Sequence, residues 1–142
     1  MMATKQITRE NKVIEFHKAM SLDVDSDARY SLLATRSSLI LEEAMEVLDA
    51  IDILQMELMR GKKGEKSQWA NLLKELADLQ YVLSGTLISF KQLNNEFDVA
   101  FNRVHKSNMS KLDNDGKPIY NNDGKVLKGP NYKEPNLEDL IY

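Results

Sequence analysis

Between residues 28 and 60 the chain contains no glycine or proline, and apolar residues recur at spacings of three and four: Leu33, Ile40, Ala44, Val47, Leu48, Ile51, Leu54 and Leu58. That period predicts one long amphipathic helix, stopped by Gly61-Lys-Lys-Gly64. A third helix is expected over about residues 67–92, with Leu72, Leu76, Leu79, Leu83 and Phe90 as its main buried stripe, broadened by Leu73, Val82 and Leu87. Gly85 falls inside it, where a glycine weakens the helix but permits close packing. Ahead of these, Thr8 is placed to N-cap a helix running to about Met20, with Val13, Ile14 and Phe16 among its apolar residues. Residues 1–8 form a loose end, and the turn-rich stretch from Ser21 to Asp27 breaks the pattern. A shorter fourth helix is expected over about residues 95–105, carrying Phe97, Phe101 and Val104.

Beyond Ser107 the pattern changes. Asp113-Asn-Asp-Gly116 and Asn121-Asn-Asp-Gly124 are turn signals on either side of Lys117–Tyr120. They predict a small hairpin pairing that segment with residues 125–128, followed by a short terminal turn near residues 137–141. The fold class is therefore all-α: a four-helix-type bundle in one domain spanning 1–142, with an irregular C-terminal arm over about 107–142.

Composition narrows the function classes. A formal charge of −3 implies no basic surface for a nucleic acid polymer. The absence of cysteine removes disulfides and thiolate zinc sites. No apolar run is long enough to span a bilayer, and a reducing, cytoplasmic setting is expected.

The candidate chemistry lies in acids placed against apolar stripes. On a helical wheel Glu42, Glu46 and Asp49 form one row, while Glu43 turns towards the stripe of Val47 and Leu54. On the third helix Glu75 falls inside the apolar arc between Leu79 and Val82, with Asp78 on its flank. Each of the pairs Glu43/Glu46 and Glu75/Asp78 spans one turn, so each can grip one ion. A hairpin folded near residue 63 brings Glu46 and Asp78 to the same level. Four carboxylates so placed repel one another. One or two Mg²⁺ ions would neutralise them and keep positions open for phosphate oxygens and water. Glu42, the spare acid, is placed to act as general base.

Two metal alternatives fail on spacing. A di-iron bundle needs Glu-x-x-His repeats, and neither His17 nor His105 has a glutamate three positions before it. The Asp113 and Asn121 turns lack the acids of a calcium loop, having Lys111 and Ile119 where those would stand. The alternative from another class is a non-catalytic helical interaction module with an acidic face.

The ordered pair Glu43-Ala-Met-Glu46 and Glu75-Leu-Ala-Asp78 resembles the E-x-x-E and E-x-x-D motifs of the all-α nucleoside triphosphate pyrophosphohydrolases, the MazG-like and phosphoribosyl-ATP pyrophosphohydrolase-like superfamily. The run Arg36–Glu42 and the segments Ser107–Lys111 and Asp123–Tyr132 are also similar to it, so the resemblance extends from about Val13 to Tyr132. It implies Mg²⁺-dependent hydrolysis between the α- and β-phosphates, with Mn²⁺ as a substitute ion. Glu43, Glu46, Glu75 and Asp78 would be the metal ligands and Glu42 the residue acting on the attacking water. It further implies a homodimer or homotetramer. Asn108 and Lys111 are candidates for contacts to the nucleotide and its phosphates, assisted by Lys125 and Lys128; Phe16 and His17 could stack on a base. The expected substrate is a (d)NTP, dUTP or a damaged nucleotide being candidates. Phosphoribosyl-ATP is the less favoured alternative, because the C-terminal arm exceeds a minimal bundle.

Overall fold

A computed structural model describes residues 8–141 and places four α-helices in chain order: α1 (Arg9–Ala19), α2 (Tyr30–Met59), α3 (Lys66–Ser89) and α4 (Phe97–Met109). A single 3₁₀ turn, Glu138–Leu140, follows near the end. The fold class is all-α, as the periodicity predicts, and no named strand forms among the described residues. Apart from Thr8, the loose end expected at residues 1–8 lies outside the described residues. Contacts divide the chain between Lys91 and Gln92 into two units.

In the first unit each helix end has a local cause. The Thr8 hydroxyl accepts from the Asn11 amide at 3.1 Å, the cap expected of α1. At the end of α2, Gly61 takes φ +74°, while the amides of Gly61 and Lys62 reach the carbonyls of Leu58 and Glu57. That paired arrangement stops the helix and satisfies two of its last carbonyls. Gly64 is constrained more tightly, with φ +80° and room for a Cβ only 2.6 Å from Leu54 Cδ2. The Trp69 indole N–H closes the same corner on the Lys63 carbonyl at 3.0 Å.

Helix α3 stops at Ser89, short of the expected residue 92. The loop after α1 accounts for the early stop. Asp25 and Ser26 donate their amides to the carbonyls of Ile88 and Ser89, both at 2.8 Å, and Phe90 pairs with Ser26 in a parallel bridge. Carbonyls left unpaired by the end of the helix thus find partners in the loop, and the chain turns extended. Asp23 holds that loop through two bonds to Arg29, at 2.9 and 2.7 Å, and one from Ser26.

Arg36 on α2 meets Val82 and Thr86 on α3, whereas Glu43 and Glu46 lie with Glu75 and Asp78. This descending register is that of an antiparallel helical hairpin. The core includes Val13, Leu32, Val47, Ala50, Leu54 and Ile88. Much of the stripe expected on α3 is not buried: Leu73, Leu76 and Leu83 are exposed, and Glu75, Ser84, Gly85 and Ser89 take the interior. Leu33, Leu48 and Leu58 on α2 are also exposed.

In the second unit α4 runs to Met109, one turn beyond the expected end at residue 105. The tail packs back on it: the Ser107 hydroxyl donates to the Lys133 carbonyl at 2.7 Å, and Arg103 binds both Asp139 oxygens. The expected hairpin reduces to one antiparallel bridge, Tyr120 to Val126, supported by the Leu127 amide on the Ile119 carbonyl at 2.8 Å. Its two turns are built alike. Asp113 accepts from the amides of Asp115 and Lys117, and Asn121 from those of Asp123 and Lys125.

Candidate metal centre

The hairpin of α2 and α3 brings Glu43, Glu46, Glu75 and Asp78 together: one carboxylate oxygen from each lies within 4.8 Å of all the others. Each helix supplies two acids one turn apart, so the convergence depends on the antiparallel register. Burial is graded across the group. Glu75 is only 8% exposed, Glu43 and Asp78 are half-buried, and Glu46 faces solvent.

Charge in this group is poorly compensated. Lys74 reaches Asp78 at 2.8 Å and Glu75 at 3.3 Å, and its own pKa is raised by hydrogen bonding to Asp78 and then Glu75. Among the described residues no basic side chain lies within ion-pair distance of Glu43 or Glu46. The Glu46 carboxyl is held above its ordinary range, first by hydrogen bonding to Glu75 and then by repulsion from Glu43 and Glu75. One oxygen each of Glu43 and Glu75 is buried without a hydrogen-bond partner. Leaving such an oxygen unpaired is costly, more so when it carries charge.

These features fit a hard divalent cation. The donors are all oxygens, as Mg²⁺, Mn²⁺ and Ca²⁺ prefer, and opposite ligands around such an ion stand about 4–5 Å apart. The two partnerless buried oxygens are the sites where an ion would replace a missing contact. Lys74 is not among the residues the sequence motifs single out, although its i,i+4 spacing to Asp78 is the signal that marks it.

The other candidates sit elsewhere. Glu42 is exposed on α2, next in sequence to Glu43 and outside the group of four. Asn108, Lys111 and Lys128 belong to the second unit. Asn108 is exposed near the end of α4, Lys111 is half-buried just past it, and the Lys128 ammonium stands 4.7 Å from the Tyr132 ring centroid. His17 is buried, with Nδ1 2.8 Å from the Asp23 carbonyl oxygen, so Nδ1 is the donor. Phe16 packs edge-on against Tyr81 at 5.5 Å. Among the described residues no helix is long and apolar enough to cross a membrane.

No curated protein matches the chain. Residues 13–108, more than half of the sequence, match the family model for phosphoribosyl-ATP pyrophosphohydrolase. The matched span contains the whole helical hairpin and all four converging acids, while Lys111 and Lys128 lie beyond it. On that match the chain belongs to the phosphoribosyl-ATP pyrophosphohydrolase family, whose members act on nucleotide-like substrates.

Proposed function

We propose that the protein is a Mg²⁺-dependent nucleoside triphosphate pyrophosphohydrolase, cutting between the α- and β-phosphates to release a monophosphate and pyrophosphate. The observation that carries this reading is the convergence of four carboxylates with two buried oxygens left without partners. Glu43, Glu46, Glu75 and Asp78 hold the ion, with Mn²⁺ as a working substitute. The bound metal supplies charge neutralisation for the triphosphate and polarises the phosphorus under attack. Glu42, exposed beside the group, takes the proton from the attacking water. As the new P–O bond forms, the anhydride bond breaks and pyrophosphate leaves with its electron pair. Asn108, Lys111 and Lys128 contact the nucleotide and its phosphates.

The substrate is a (d)NTP, with dUTP or a damaged nucleotide as leading candidates and a house-cleaning role in a cytoplasmic setting. The arm outside the matched span, from residue 109 onward, favours this over a minimal phosphoribosyl-ATP enzyme. Phosphoribosyl-ATP is the second reading, favoured by the family match itself. The protein works as a homodimer or homotetramer; Leu41, Met45, Leu48, Leu73 and Leu76 stand exposed on the two long helices, the kind of surface a second copy covers.

A panel of (d)NTPs and phosphoribosyl-ATP with Mg²⁺, scored for the first phosphorus product, tests the reading. Pyrophosphate is expected from at least one substrate. Glu46→Ala or Asp78→Ala should lower the rate by about 100-fold or more with the helical content retained. Orthophosphate as first product would contradict the cleavage position, and no turnover with no metal binding would leave an acidic interaction module. Glu42→Gln should cut kcat far more than metal affinity; equal loss of both would make Glu42 a fifth ligand.

A further inference from the structure

Two turns before Glu43 on the same face of α2, Arg36 is 6% exposed. Its Nε donates to the Thr86 hydroxyl at 3.1 Å and its Nη2 to the Val82 carbonyl at 2.8 Å; among the described residues Nη1 makes no hydrogen bond. Both acceptors are neutral, and among the described residues no carboxylate lies within ion-pair distance of Arg36. A guanidinium stays protonated even where burial pulls its pKa down, so a buried positive charge stands here without an anion. Nearby Arg29 is already matched to Asp23.

Arg36 lines a cavity of about 180 Å³ together with His17, Ser31, Thr35 and the ion pair of Asp23 with Arg29, whose charges cancel and leave Arg36 as the unmatched charge of the lining. A Cβ on Gly85 would stand 2.5 Å from Arg36 Nη2 and 3.0 Å from His17 Nε2, so the glycine in α3 is what admits both heads.

A second observation points the same way. Ser31 and Leu32, from the first turn of α2, line the cavity. That 30-residue helix has no side-chain cap and no acid in its first turn. Its unpaired amides and the positive end of its dipole therefore favour a negative ligand. The Ser31 hydroxyl adds a donor, which suits a tetrahedral group with several acceptor oxygens, whereas the Thr35 hydroxyl already donates to the Ser31 carbonyl at 2.9 Å.

We propose that this cavity is a phosphoryl-binding site, separate from the acidic cluster, in which Arg36 and the first turn of α2 hold a phosphate. The phosphate comes from one of two sources. It is either the far end of a substrate whose triphosphate lies at the acids, or free phosphate acting on the enzyme. Arg36 and Glu43 are seven residues apart, about 10 Å along the helix, a span one nucleotide can bridge.

The test uses the metal-free, full-length protein carrying Glu46→Ala, so its outcome does not depend on the hydrolase reading. Inorganic phosphate is titrated while backbone amide resonances are followed. Saturable shifts are expected at Ser31, Leu32 and Thr35, with affinity at least tenfold weaker after Arg36→Met. Absence of saturable shifts at these amides, or shifts indifferent to Arg36→Met, overturns the proposal. Should Arg36→Met fail to fold, Ser31→Ala must weaken phosphate by several-fold in its place, and unchanged affinity overturns the proposal equally. The source rests on the hydrolase reading and is assigned by kcat/KM. Loss on Arg36→Met confined to phosphoribosyl-ATP and sparing dUTP places the substrate's own phosphate in the cavity; equal values for both assign free phosphate.

Discussion

The acidic cluster gathers four carboxylates of which the exposed Lys74 reaches two, whereas two turns earlier on α2 Arg36 is buried among neutral acceptors. One region has too much negative charge, and the other has a positive charge with no anion. They do not cancel, because the seven-residue separation is about one Debye length and far beyond contact. Elsewhere the protein pairs its charges directly, as Asp23 with Arg29 and Asp139 with Arg103. In both matched pairs the arginine lowers the aspartate pKa, the reverse of the effect at Glu46. The contrast is the basis on which a cation is proposed at the acids and a phosphate beside Arg36.

The largest expected effect is on the acidic side. Saturating Mg²⁺ should stabilise the native protein, by about 2.7 kcal/mol at a hundredfold excess over Kd. Glu75→Gln should abolish most of that gain. Without metal the same substitution should raise Tm by a few degrees, about 1 kcal/mol, because it removes a buried charge from a repelling group. A Tm that falls without metal would show that Lys74 already balances the cluster.

Gly85→Ala addresses the cationic side with a smaller expected effect. Alanine favours the helix by about 1 kcal/mol. The new methyl, however, must push against both Arg36 and His17, an overpacking cost of about 1–3 kcal/mol. A net loss of stability is expected by urea denaturation, with phosphate affinity reduced and the Mg²⁺ response unchanged. Loss of the Mg²⁺ response would mean that the two sites are coupled through α3.

The smallest effect belongs to a matched pair. Hydrogen bonding to Arg29, then to Ser26, holds the Asp23 carboxyl down at about 2. A carboxylate with a depressed native pKa contributes stability above its unfolded pKa, about 3.9, and that contribution is lost as pH falls towards its native value. Asp23→Asn should therefore change stability little at neutral pH, since the arginine is half exposed, and should flatten the stability profile between about pH 4 and 2. An unchanged acid limb would show that the pair adds nothing to folding.

How much of this could be read from the chain differs from residue to residue. Thr8 was recognisable as a cap because its partner is three residues away. The position of Glu75 inside an apolar arc was visible on the wheel, and the residue is buried. The hairpin level matching Glu46 to Asp78 followed from the glycines at 61 and 64, both of which adopt positive φ. The buried side of α3 differs from the one its leucines predict. Leucines at 73, 76 and 83 make the helix apolar on more than one side, and periodicity cannot say which side meets α2. The ends of α3 and α4 were also displaced, since a loop pairing with Phe90 and a tail bonded to Ser107 set or extend them from a distance.

Local interactions, then, were written in the order of residues: the caps, the turns, the two acidic pairs and the hairpin that aligns them all act within a few positions of one another. The unpaired state of Arg36 and of the buried oxygens on Glu43 and Glu75 was not. Whether a charge finds a partner depends on which side chains of α1, α2 and α3 share its space. Only the packed structure shows that Arg36 ends against Gly85 and His17, with no acid within ion-pair reach.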